Sequence, residues 1–242
     1  MIEHHIDIPT PDGAMNSFVV HPEEGGPSPV VLFYMDAPGK REELHDMARR
    51  IASVGYYVVL PNLYYRVTRE FVMVRNEEGF KRMFEMLRGL SNAMVLRDTA
   101  AMIAFVDDQP RAKARSIGTV GYCMSGPFVF AAAAEFADRI HCSASIYGAG
   151  LMTDRPDSPH LTAKRIRGEM YFACAEIDKY APREQIEALE VQLRHAGINY
   201  RLEWYPGAEH GFAFPQREGV YHRPSAERHW ERLFALFRRN LG

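Results

Sequence analysis

The order of predicted elements points to an α/β fold: a mostly parallel sheet with helices on both faces, preceded by an antiparallel hairpin. Three observations carry this expectation. Apolar runs of strand length alternate with amphipathic stretches of helical period along most of the chain, and repeated strand-then-helix order calls for parallel strands joined by crossovers. The first residues instead read as two strands about Asp12-Gly13, a dipeptide suited to a tight hairpin turn. Composition is ordinary for a globular chain: 242 residues, 47% apolar and 25% charged, sufficient for one domain, 1–242, with a substantial core.

Taken in order, strands are expected over 3–9 and 16–21, and Pro27 marks the passage into the parallel region. The next strand, 30–36, is a near-continuous apolar run ending on Asp36, the pattern of a strand covered on both faces. A helix over 41–54 and a strand over 57–60 follow. Helical patterns over 76–90 and 91–107 separate where Gly89 and Ser91 break the period, with Ser91 placed as an N-cap. Met73, Met83, Met86, Met94 and Met102 concentrate here; flexible thioethers fill irregular core, and a mobile cover over a ligand would use the same residues. Strands over 116–122, 142–147 and 170–175 alternate with helices, of which 183–195 is the clearest. A strand over 200–205 and a helix over 225–241 finish the chain. The turn-rich stretch 151–160 reads either as a rim beside a strand end or as a plain surface connection.

The strand over 116–122 runs into Gly121-Tyr-Cys-Met-Ser-Gly-Pro127, which puts a cysteine on a strand-to-helix turn. Such an elbow needs small residues beside the nucleophile, because neighbouring backbone comes very close, and Gly121 and Gly126 flank Cys123 accordingly. The Met124 amide opens an apolar helix over 127–137, so its N–H and the positive helix end point toward developing negative charge. Ser125 stands where the usual pattern has its second glycine, and it is the rival nucleophile.

Partners come in the order nucleophile, acid, histidine, which an α/β-hydrolase sheet dictates. The apolar run 169–175 ends in Glu176-Ile-Asp178, followed by Pro182 at the start of a helix. A carboxylate beyond a strand end can orient an imidazole, so Asp178 is preferred to Glu176; capping the next helix is its alternative role. The strand over 200–205 is expected to break at Pro206 into a loop carrying His210 between Glu209 and Gly211. From there an imidazole can reach both Cys123 and Asp178, although an isolated loop histidine is more often solvated. Cys142 and Cys174 lie inside apolar strand-like stretches and read as inert buried thiols.

Gly-Tyr-Cys-Met-Ser-Gly at 121–126, Asp-Lys-Tyr-Ala-Pro at 178–182 and Glu-His-Gly-Phe-Ala at 209–213 resemble the dienelactone hydrolase family of α/β-hydrolases. Residues 55–66 resemble that family's second buried strand and its proline-terminated exit, so the resemblance covers nearly the whole chain. It implies hydrolysis of a carboxylic ester or lactone by a Cys-His-Asp triad through a thioester, with no cofactor and a small-molecule ester or lactone as partner. It further implies that Asp36 matches an acid contacting the resting thiol and that the Ala37 amide joins Met124 in the oxyanion hole. Family members of known activity carry glutamate where Asp36 stands. They also hold a substrate carboxylate with arginines, one just after the catalytic histidine, whereas His210-Gly-Phe-Ala-Phe-Pro215 has no cation. Arg75, Lys81 or Arg82 could supply such a contact, with a solvated helix face as the alternative. Tyr64, Tyr65, Phe212 and Phe214 suggest an aromatic pocket.

A formal net charge of -2, with no basic cluster interleaved with aromatics, argues against nucleic acid as partner. No apolar run approaches a membrane span, and residues 1–9 lack a signal-peptide pattern. Three cysteines without scaffold spacing suit a reducing cytoplasm, the expected location. His4 and His5 are adjacent and point to opposite sides of a strand, and no zinc ligand set is evident. A non-catalytic, small-ligand-binding member of the same fold remains the alternative function, and the oligomeric state is left open.

Overall fold

The antiparallel hairpin of β1 (Ile2–Thr10) and β2 (Gly13–His21) opens the chain, with Thr10 opposite Gly13 at the turn. The computed structural model describes residues 1–242, which fall into two compact units, Met1–Ile117 and Gly118–Gly242.

In the first unit β2 pairs antiparallel with β4 (Tyr57–Pro61), and β4 pairs parallel with β3 (Ser28–Tyr34). Phe18, Val30, Leu32, Phe33, Val58 and Leu60 are wholly buried, as a strand run with no polar alternation requires. Helix α1 (Glu42–Ala52) buries Leu44, Met47, Ala48 and Ile51, one stripe at helical spacing, and carries acids in its first turn and arginines in its last. Helices α2 (Glu77–Arg88) and α3 (Asn92–Asp107) begin one residue after their caps: Asn76 accepts from Gly79 N at 2.8 Å and Ser91 from Met94 N at 3.3 Å. Met83, Met86 and Met102 are buried, the core-filling role.

Strand β5 (Ala112–Tyr122) begins before the expected start and runs from the first unit into the second. The second unit continues with α4 (Gly126–Glu135), β6 (Ile140–Ile146), β7 (Glu169–Ile177), α5 (Arg183–Ala196), β8 (Tyr200–Glu209) and α6 (Arg223–Leu241). Pairing of β6 with β7 and of β7 with β8 is parallel. Strand order in the eight-stranded sheet is β1-β2-β4-β3-β5-β6-β7-β8, a mostly parallel sheet with the hairpin at one end. Helix α4 is apolar on all sides and buries Phe128 to Ala134, the pattern of a helix enclosed in core.

One expectation about these strands needs correction. β8 does not stop at Tyr205: after the Ala175–Tyr205 pair the register shifts, and pairing resumes with Ile177 opposite Glu209. Pro206 cannot donate to a ladder, so the strand bulges there instead of ending, and the Glu176 carboxylate accepts from Gly207 N at 2.7 Å.

Candidate active site

Cys123 has φ 56, and only Tyr147 among the other non-glycine residues also has positive φ. A side chain held in the left-handed region costs about 1–3 kcal/mol and marks a strained turn. The sequence explains how this turn closes. A Cβ at position 121 would lie 2.7 Å from Ser125 O and 2.8 Å from Val129 Cγ1, and one at 126 would lie 2.5 Å from Gly148 Cα. Both positions therefore require glycine. The short 3-10 turn Cys123–Ser125 then leads directly into α4, with Met124 in its middle. Cys123 is half-buried, whereas Ser125 is 0% exposed.

Asp178 is the first residue past β7 and His210 the first past β8, and the Ile177–Glu209 pair brings the two strand ends level. His210 N donates to Ile177 O at 3.2 Å, and its Nδ1 lies 2.7 Å from Asp178 Oδ2. A carboxylate only accepts, so Nδ1 carries hydrogen and Nε2 is the nitrogen left for chemistry. Asp178 Oδ1 accepts from Tyr180 N at 2.8 Å and Ala181 N at 3.1 Å. The side chains of His210 and Asp178 are 9% and 1% exposed.

His210 Nε2 is buried and makes no hydrogen bond of ordinary geometry, yet the Cys123 thiol is close enough to act on the ring. Burial works against the charged imidazole, but the hydrogen bond to Asp178 and the interaction with Cys123 outweigh it and raise His210 to about 9. Burial pushes the other two thiols up, Cys174 to about 12. Tyr147 and Tyr180 pack edge-on against the His210 ring, at centroid distances of 5.1 and 4.8 Å. Phe212 is fully buried, stacked on Tyr205 at 4.9 Å and edge-on to Tyr147 at 5.1 Å.

The remaining candidates lie in the first unit. Asp36, just past β3, is 0% exposed and is held by Arg41, with Nη1–Oδ1 at 2.5 Å and Nη2–Oδ2 at 3.3 Å; Arg41 also binds Glu43 at 2.6 Å. The carbonyl of Ala37 accepts from Tyr64 Oη at 2.8 Å. Tyr65 Oη donates to Asp98 at 2.8 Å and meets Thr10 at 2.7 Å, with the Arg66 guanidinium 4.4 Å over its ring. Among the cations considered, Arg82 lies 5.7 Å over the Phe71 ring.

Two residues, Tyr180 beside His210 and Arg217 beside Gly211, are not marked by the sequence. Tyr180 stands in the Asp-Lys-Tyr-Ala-Pro stretch at 178–182, where nothing local marks its ring as packing on the imidazole. Arg217 packs on Gly211, where a Cβ would come within 2.2 Å of Nη1, and its guanidinium lies 4.9 Å over Phe214. Successive turns, Phe214 N to Gly211 O and Arg217 N to Phe214 O, each 3.1 Å, fold it back. Sequence spacing gives no sign of that return.

The model of the dienelactone hydrolase family matches residues 15–241. A protein of Synechocystis sp. with the provisional name carboxymethylenebutenolidase is 28% identical over 239 residues, covering 98% of this chain and 96% of its own. A Klebsiella pneumoniae crystal structure, provisionally a dienelactone hydrolase, superposes with TM-score 0.87 at 24% identity, covering 98% of each chain. A dienelactone hydrolase-like promiscuous phosphotriesterase from metagenomic libraries superposes with TM-score 0.82 at 18% identity, covering 100% of this chain and 99% of its own. The fold is the α/β-hydrolase fold.

Proposed function

Because the chain belongs to the dienelactone hydrolase family, we propose that it hydrolyses carboxylic esters or lactones through a thioester on Cys123, with His210 carrying protons and Asp178 orienting the imidazole. The observation that carries this reading is a buried imidazole anchored 2.7 Å from the Asp178 carboxylate, its Nε2 left without a hydrogen-bond partner, together with a cysteine on a strained strand-to-helix elbow. With the proton held on His210, Cys123 Sγ attacks the carbonyl carbon as the thiolate, and the carbonyl electrons move onto oxygen. The Met124 amide stabilises this oxyanion. As the oxyanion collapses, the ester C–O bond breaks and the departing oxygen takes the proton from His210 Nε2. Water then gives a proton to the neutral ring, attacks the thioester, and expels the sulfur.

Esters and lactones suit such a site better than amides, because an amine leaves only after its nitrogen is protonated, whereas an activated alkoxide leaves readily. Exchange of Cys123→Ala is expected to abolish p-nitrophenyl acetate hydrolysis, and full retained activity would overturn the assignment.

A further inference from the structure

The two rings against His210 differ in exposure. Tyr147 is 1% exposed and packs on Phe212 and Phe214, so it belongs to the wall of the core. Tyr180 is 45% exposed, yet its ring meets the imidazole at 4.8 Å and 62°. Its placement is anchored. Tyr180 N donates to Asp178 Oδ1 at 2.8 Å while Oδ2 holds His210 Nδ1 at 2.7 Å, so one carboxylate sets both rings. The Lys179 ammonium lies 5.1 Å from the Tyr180 ring centroid, a cation–π contact that further restrains it. Ile177, 58% exposed, adds apolar surface beside Asp178.

We propose that Tyr180 forms the leaving-group subsite and makes the enzyme selective for esters of aromatic alcohols. This rests on His210 being the proton carrier. With Nδ1 engaged by Asp178, the proton reaches the departing oxygen from Nε2, which requires an approach of about 3 Å. Whatever is attached to that oxygen therefore lies close to the imidazole, against which the Tyr180 ring packs at 4.8 Å. An aromatic alcohol there can meet the Tyr180 ring offset or edge-on at the usual centroid separations, and such a pair contributes roughly two- to tenfold beyond the area it buries. A short alkyl alcohol has no ring to place, so the contact discriminates by leaving group and not by acyl group.

The test compares phenyl acetate with ethyl acetate, which share an acyl group, using kcat/KM because that constant includes departure of the alcohol. Their intrinsic reactivities differ, so the quantity read is the change in the phenyl-to-ethyl ratio relative to wild type. Tyr180→Ala and Tyr180→Leu are expected to lower the ratio about fivefold, and Tyr180→Phe to preserve it. An unchanged ratio in the alanine and leucine variants overturns the subsite. So does a parallel loss on both esters, which would make Tyr180 only a support for the Asp178 turn. Cys123→Ala assayed on the same esters separates the two readings: its inactivity alongside an unchanged ratio refutes the subsite alone, while its full activity refutes the triad.

Discussion

At the scale of single residues, the His210–Asp178 contact governs proton chemistry. A histidine raised from 6.5 to about 9 holds its proton at neutral pH. The folded value exceeds the unfolded one, so the interaction stabilises the fold fully below about pH 6.5 and loses that contribution as pH rises through about 9. The same titration removes the proton for the departing alcohol, and kcat/KM for ethyl acetate is expected to fall above about pH 9. Asp178→Asn takes away the strongest partner that raises the ring. Its basic limb should move toward neutral pH and its kcat/KM drop by roughly 10³ or more; a pH–rate profile with an unmoved basic limb would contradict this. The alternative role for Asp178, capping the next helix, is not met: α5 has Pro182 at its N-cap and no side-chain cap hydrogen bond. One Asp178 oxygen instead accepts from the turn ahead of α5 and the other holds the imidazole, since a carboxylate offers about four acceptor sites.

At the scale of elements, the site depends on where strands end and how closely a helix approaches. Glycine at 126 lets the start of α4 pass within van der Waals reach of Gly148. Gly126→Ala would drive a methyl to 2.5 Å from Gly148 Cα, a backbone atom with little freedom to yield. The expected cost is about 2–4 kcal/mol, seen as a lowered urea midpoint with an unchanged m-value, together with loss of esterase activity. Most element boundaries were legible because each had a local physical marker: the Asp12-Gly13 turn, the Ser91 cap, the stripe of Leu44, Met47, Ala48 and Ile51. The continuation of β8 was not. Pro206-Gly207 reads as a strand terminator, and only the β7 partner, whose Glu176 binds Gly207 N, turns that break into a bulge.

Across the whole molecule, three cysteines occupy unlike surroundings. Cys123 is half-buried, while Cys142 and Cys174 are enclosed in strands with thiols pushed upward by burial. A thiol reagent such as DTNB should therefore label one cysteine in the folded protein and three after denaturation; rapid labelling of more than one, or none, in the native state would contradict this arrangement. No helix is long and apolar enough to cross a membrane.

By itself the sequence determined the alternation of strand and helix, the hairpin, the glycines that admit a tight elbow, and the order of cysteine, acid and histidine. All of these rest on local periodicity, backbone preference or chain order, which one sequence carries. The tertiary structure alone decided which carboxylate oxygen meets the imidazole, how far β8 continues, that Arg41 holds Asp36, and that Tyr180 and Arg217 come to stand beside His210 or the residue after it. Those contacts join residues whose separation along the chain says nothing of their distance in space, because pairing register and loop closure set that distance.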